Sequence, residues 1–257
     1  MRYSLFLCAS TVLDVLSMLP PANTDLAYLE GMAARQLEFC ARALSLLDDA
    51  SDTDLAGHAT AYRRLLLMHA AGPNQDGGEQ LLAGAGLCVE VMWRTHMIHP
   101  VAYLRACAMM RGADNEDCSA ITSLEWSGGI DLIAAARRSC RFMRGILANR
   151  QSYEAPGALT EAVQLYQGFL MAAAHSHVAL VPTQSVDLVW HAHQQQPQYA
   201  AECVAVSGRL LDHDDTVGEA ELAAVATVVA TMAASSCLPT TESDLQLAQA
   251  GQPGHVR

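Results

Sequence analysis

Val186-Asp187-Leu188-Val189-Trp190-His191-Ala192-His193, with Pro197, Tyr199 and Cys203 behind it, decides the fold because the chain says it twice. The earlier version is Val89-Glu90-Val91-Met92-Trp93-Arg94-Thr95-His96, with Pro100, Tyr103 and Cys107 behind it. A carboxylate three residues before Trp, a His three after and a Pro seven after coincide without a gap. Tyr and Cys coincide within one residue. Upstream, Tyr62-Arg63-Arg64-Leu65-Leu66-Leu67 answers Tyr166-Gln167-Gly168-Phe169-Leu170-Met171. An internal repeat of this length sets the architecture before any other signal. It predicts a mainly α protein of two sequence-related helical lobes, each of ordinary domain size. The expected divisions are an N-terminal helix or extension over 1–23, a first, degenerate repeat lobe over 24–120, a second repeat lobe over 128–236 and a polar, disordered tail over 237–257.

Composition supports helices. Of 257 residues, 51% are hydrophobic but only 5% aromatic, and alanine abounds. Closely packed helices suit that mixture better than sheets, which favour β-branched and aromatic side chains. The net charge of −12 excludes a broad nucleic-acid footprint, which needs a basic surface to displace counterions. Arg137, Arg138, Arg141 and Arg144 gather locally, but on a helix they straddle more than one face and read as a solvated stripe. Eight cysteines without a Cys-x-x-Cys pair fit neither a zinc finger nor a small disulfide scaffold. They are expected as reduced, buried thiols, which makes a cytoplasmic location the default. The run Leu5–Leu13 after Arg2 has some signal-peptide character. Asp14 interrupts it and no small-x-small site follows before Pro20-Pro21, so a buried first helix is expected. No stretch approaches the ~18 apolar residues of a membrane span.

Helical periodicity runs from Leu26 to Leu47, with Asn23-Thr24-Asp25 as the expected N-cap. A second helix is expected from Leu55 to Ala71, before Gly72-Pro73, and another from Pro100 to Met110, since Pro suits a first helical position. The second half replays the order: Ile130 to Ala148, Leu159 to Ala174, then Tyr199 to Ser207 stopped by Gly208. A last helix is expected over Glu219 to Ala234. The β-branched runs Val89–Met92 and Val186–Val189 are compatible with short strands before each Trp, and periodicity does not separate these from buried helix.

If the Trp segments are helical, Glu90, Trp93 and His96 fall within an arc of roughly 120°, as do Asp187, Trp190 and His193. A carboxylate near an imidazole selects one tautomer, and the indole shields the pair. The second half adds His175-x-His177, His191-x-His193 and His213-Asp214-Asp215. On a helix a His-x-His pair diverges by ~200° and cannot chelate one ion; on extended backbone it can. Cys107 and Cys203 read as small buried residues, and Trp93, Trp190, Tyr103 and Tyr199 as core anchors.

The run Val181-Pro182-Thr183, Asp187 to His193, Tyr199, Gly208 and Leu211-Asp212-His213-Asp214-Asp215 resembles the glycine-rich domain-containing protein-like family. Ile130 to Arg138 with Phe142 resembles its first helix, and Tyr166 with Phe169-Leu170 its second. The resemblance spans roughly 25–235 and is more specific in the second half. It implies a domain of unknown function, with plant members associated with stress and developmental responses, and no catalytic mechanism. The chain departs from the family in lacking the long glycine-rich tail. Arg94 also stands where the second copy has His191. Two readings follow. One is a non-enzymatic helical interaction module with protein partners, neither nucleic acid nor membrane, whose histidines are structural. The other is a metal-dependent hydrolase with His191, His193 and His213 holding zinc or a similar divalent ion and Asp187 orienting one of them.

Overall fold

The computed structural model describes residues 26–71, 86–112, 125–176, 180–213 and 215, with backbone alone at 68–71 and 111–112. Among them the chain forms helices throughout and no strand. These are α1 (Leu29–Asp49), α2 (Asp52–Ala71), α3 (Gly86–Met97), α4 (Pro100–Gly112), α5 (Leu132–Ala148), α6 (Arg150–Tyr153), α7 (Ala158–His175), α8 (Gln184–Gln194) and α9 (Tyr199–Ser207). The β-branched runs expected as short strands lie inside α3 and α8, so that expectation is corrected. Each is buried, and burial rewards apolar residues in a helix as much as in a strand. No described helix is long and apolar enough to cross a membrane. The expected N-cap at Asn23-Thr24-Asp25, the helix over Glu219 to Ala234, the segment 1–23 and the tail lie outside the described residues.

Caps set the helix boundaries. α2 begins at Asp52 rather than near Leu55, because Ser51 and Asp54 cap it reciprocally. The Asp54 amide donates to Ser51 Oγ (3.2 Å), and the Ser51 amide to Asp54 Oδ2 (2.9 Å). α5 begins after Asp131, whose Oδ1 accepts from the Ile133 and Ala134 amides at 3.0 Å. Thr183 accepts from the Val186 amide at the start of α8, and Gly208, at φ 72°, ends α9 where expected.

Leu29, Ala33, Leu37, Cys40, Ala43 and Leu47 form the buried stripe of α1, and its principal neighbours are α5 and α8 of the second half. α2 packs on α3 and α4, as α7 packs on α8 and α9; α3 leans on α5 as α8 leans on α1. A single core therefore runs from Leu26 through both halves to Leu211. Two of the arginines of α5, Arg137 and Arg144, bridge to the first half, while Arg141 stays exposed as expected of a solvated stripe. Arg137 donates to the Leu47 and Ala50 carbonyls at 2.7 and 2.6 Å, capping the C-terminal end of α1, and pairs with Asp52. Arg144 pairs with Asp48, and Arg138 with Asp215.

Gly128 is where the approach to α5 meets α4. Its φ is +68°, and a Cβ there would run into the Ala102 carbonyl. Gly129, at φ +98°, has open space around the same position. Gly128→Ala should therefore cost about 2–4 kcal/mol, combining left-handed strain with backbone overlap, and Gly129→Ala only about 1–2. Urea unfolding of both variants checks this; equal losses would mean that the close approach to α4 is unimportant.

Candidate metal centre

Because α8 is a helix, residues four apart stack on one face and residues two apart diverge. Asp187 and His191 consequently face the same way, and His193 faces elsewhere. Gly208 ends α9 and releases the chain into a segment without regular structure, which brings His213 back over α8. His191 Nε2 and His213 Nε2 lie 3.0 Å apart. Asp187 Oδ1 is 3.3 Å from His213 Nε2 and 3.5 Å from His191 Nε2. Three ligand-type atoms thus converge, all from residues that the sequence proposes for a metal.

The electrostatics of this triangle follow from burial. Desolvation pushes His191 down to about 4. It opposes charge on His213 as well, but the hydrogen bond and charge of Asp187 outweigh it and raise His213 above the ordinary histidine value. Burial would lift Asp187, yet His191 and His213 hold it below the usual carboxylate range. The favoured proton thus belongs to His213 and sits among two acceptors, the His191 nitrogen and the Asp187 oxygen. A cation suits that spot on the same grounds. Phe142 covers His191, with ring centroids 4.2 Å apart, and Trp190 covers His213 at 5.1 Å.

His213 is anchored from the first half. His99, in the turn between α3 and α4, donates its Nδ1–H to the His213 carbonyl (3.0 Å). The Val101 amide donates to Asp212 Oδ1 (3.3 Å). Asp215 faces both His99 Nε2 (3.5 Å) and Arg138 Nε (3.0 Å). Although burial opposes its charge, the neighbouring His99 and Arg138 hold its carboxyl down at about 2. Asp214 lies outside the described residues.

His193 belongs to a different structure. Its Nδ1 accepts from Tyr166 Oη (2.8 Å), and its Nε2–H donates to Glu202 Oε2 (2.9 Å), which also accepts from Tyr28 Oη (2.8 Å). Tyr199 meets its ring edge-on at 4.9 Å. Both nitrogens are used, so the structure does not bring His193 to the face that Asp187 and His191 share. His96 has matching surroundings. Nδ1 accepts from Tyr62 Oη (3.0 Å), Nε2–H donates to the Ser127 carbonyl (3.1 Å), and Tyr103 lies edge-on at 5.3 Å. Even the next aromatic corresponds: Trp126 stands 6.3 Å from His96 at 85°, and Tyr28 stands 6.4 Å from His193 at 85°.

The expected pairing of each acid with the His six residues on is corrected. Six residues leave ~120° between side chains, whereas four leave ~40°. Glu90 therefore pairs with Arg94 (2.9 Å) and Arg42 (3.3 Å), not with His96. Trp190 is buried and donates its Nε1–H to Tyr199 Oη (2.9 Å), which donates in turn to the Leu211 carbonyl (2.7 Å). Trp93 is only partly buried against the core. Cys203 is buried, as expected of it. His175 is exposed and apart from the site, and His177 lies outside the described residues. Glu202, Tyr28, His99 and Arg138 carry no repeat signal in the sequence. Tyr62 and Tyr166 do, since they open the upstream matching phrases.

With this geometry established, similarity to known proteins can be placed on it. Residues 110–202 match the glycine-rich domain-containing protein-like family. The resemblance read from Ile130 to Tyr199 falls within that span, whereas Gly208 and Leu211–Asp215 follow it and most of the first half precedes it. The chain is 36% identical over 110 residues to glycine-rich domain-containing protein 1 of Arabidopsis thaliana, covering 40% of this chain and 13% of that protein. It is 29% identical over 110 residues to glycine-rich domain-containing protein 2 of the same plant, covering 37% and 14%. The chain thus spans only about a seventh of the length of these relatives. No solved structure matches it.

His96 gives the fold a pH dependence with a defined sign. Burial pushes it down to about 3, against about 6.5 when unfolded. Between those values the unfolded chain binds a proton that the native one refuses. The contribution is complete above pH 6.5 and is lost as pH falls towards 3. Urea stability should therefore drop on acidification by up to about 1.4 kcal/mol per pH unit for this residue. His96→Gln should be less stable at pH 7 yet show a shallower slope between pH 6.5 and 5. Parallel slopes would contradict a neutral, buried His96.

Proposed function

We propose that the chain is a helical binding module that holds one divalent transition-metal ion of the zinc type through Asp187, His191 and His213. The observation that carries this is the triangle of ligand atoms, with edges of 3.0, 3.3 and 3.5 Å. A tetrahedral ion with ligands at about 2.0–2.1 Å has ligand–ligand edges of about 3.3 Å. Two imidazoles and a carboxylate also suit zinc-type ions chemically. Three protein ligands leave one position to water or to a donor from outside.

The small share of its relatives that the chain covers suits a module working inside larger polypeptides, with protein as the partner class.

The same reading makes the module a tandem pair whose first helices are exchanged. Its support is the correspondence of Tyr62, His96, Tyr103 and Trp126 with Tyr166, His193, Tyr199 and Tyr28. α1 packing on α8, as α5 packs on α3, supports it equally. In this pairing Glu90 and Arg94 stand where Asp187 and His191 do, so the first copy has an ion pair at the position of two metal ligands.

Elemental analysis after purification with zinc and removal of excess should find about one zinc per chain. His191→Ala and His213→Ala should lose it with helical content unchanged by circular dichroism. His193→Gln should keep the zinc while losing stability. Metal-free wild type, or zinc retained by His213→Ala, would refute the assignment.

A further inference from the structure

We infer, resting on the metal reading above, that His99 is a positioning residue for the ion: the half without ligands sets the third ligand of the other. Asp187 and His191 are pre-oriented by four-residue spacing on one helix. His213 has no such support, because residues 209–213 form neither helix nor strand. Its place depends on what fixes its backbone. Tyr199 and Val101 fix the chain at Leu211 and Asp212, and the contact that acts on the His213 peptide itself is the His99 Nδ1–H donated to its carbonyl at 3.0 Å.

The donor is itself held in place. His99 is 5% exposed. Its far nitrogen faces Asp215, which is gripped by Arg138 of α5. Next to it, Val101 N–H holds Asp212. The order is therefore Arg138 to Asp215 to His99 to the His213 backbone, and the His213 ring then points at Asp187 and His191. His99 does not join the three-atom triangle, so it acts through His213 rather than on the ion. Partners of this kind, one step behind the ligands, typically change metal affinity by about 10–100-fold.

The test is cobalt(II) titration of the full chain, read by the ligand-field absorption that four-coordinate cobalt gives. Wild type should bind one equivalent. His99→Ala should bind about 10–100-fold more weakly, with an altered spectrum at saturation. His99→Asn places an N–H where Nδ1–H was and should restore most of the affinity and the wild-type spectrum. Should His99→Ala fail to fold, Asp215→Asn releases the far side of His99 and should weaken cobalt binding in the same direction. Unchanged affinity in His99→Ala, or in Asp215→Asn where that variant stands in, overturns the inference and leaves the metal site standing. So does His99→Asn binding as poorly as His99→Ala. Wild type that binds no cobalt overturns the metal reading, and this inference with it.

Discussion

A helix turns about 100° per residue, and on α8 that constraint sorts two histidines into two chemistries. His191 falls on the face of Asp187 and meets His213; His193 falls on the opposite side and is sealed by Tyr166 and Glu202. On extended backbone both rings would share a side, and neither arrangement would exist. Much else in the second half serves to keep this helix in place. Thr183 caps it, α1 and α7 pack along it, and Trp190 ties it through Tyr199 to the Leu211 carbonyl. The Leu211 anchor matters for the Asp187–His191–His213 cluster, because it fixes the chain two residues before His213.

The sealed side carries a large desolvation cost. Glu202 is 1% exposed and His193 is fully buried. A carboxylate at that depth is tolerable only when donors surround it. Tyr28 and His193 supply two, at 2.8 and 2.9 Å. Burial, followed by the bond to Glu202, pushes the Tyr28 hydroxyl well above its ordinary value, so it remains a donor. Tyr28 comes from the start of α1, so the satisfaction of a buried acid in one half requires a residue from the other. Ser127, just ahead of α5, does the same for His96. The cross-packing of α1 and α5 is thus enforced by polar groups that would otherwise be buried alone, in addition to their apolar stripes.

Periodicity revealed the helices because their buried faces are long. α1, α5 and α7 start or end within a few residues of where the apolar spacing places them, and Pro100 and Gly208 mark ends by their own backbone chemistry. The differences at Asp52 and Leu132 come from caps, where a polar side chain starts a helix three residues before its apolar pattern in the first case and two residues after it in the second. The candidate site was legible in composition and partly in geometry. Asp187, His191 and His213 could be named, but His193 could be separated from them only once α8 was known to be helical. His99, Arg138 and Glu202 were illegible, since the contacts that give them meaning span 114, 77 and 174 residues of chain. No local pattern encodes those.

The Glu90–Arg94 pair shows how the halves diverge without losing the fold. At these positions an acid and its neighbour one turn on need a positive charge between or beside them. Arg94 provides one from its own side chain, pairs with Glu90 at 2.9 Å, reaches Gln36 and Gln195, and lies over the Phe39 ring. His191 is pushed towards neutrality by burial, so Asp187 must draw its positive partner from elsewhere, from His213 or from a cation. The Glu90–Arg94 pair is electrostatically complete in itself, whereas Asp187 with His191 is open to an outside charge. Arginine cannot give up its proton in such a setting, and imidazole can. On the proposed reading, that difference places the ion at Asp187 and His191 rather than at Glu90 and Arg94, and it leaves the first half free to act as the support on which His213 is held.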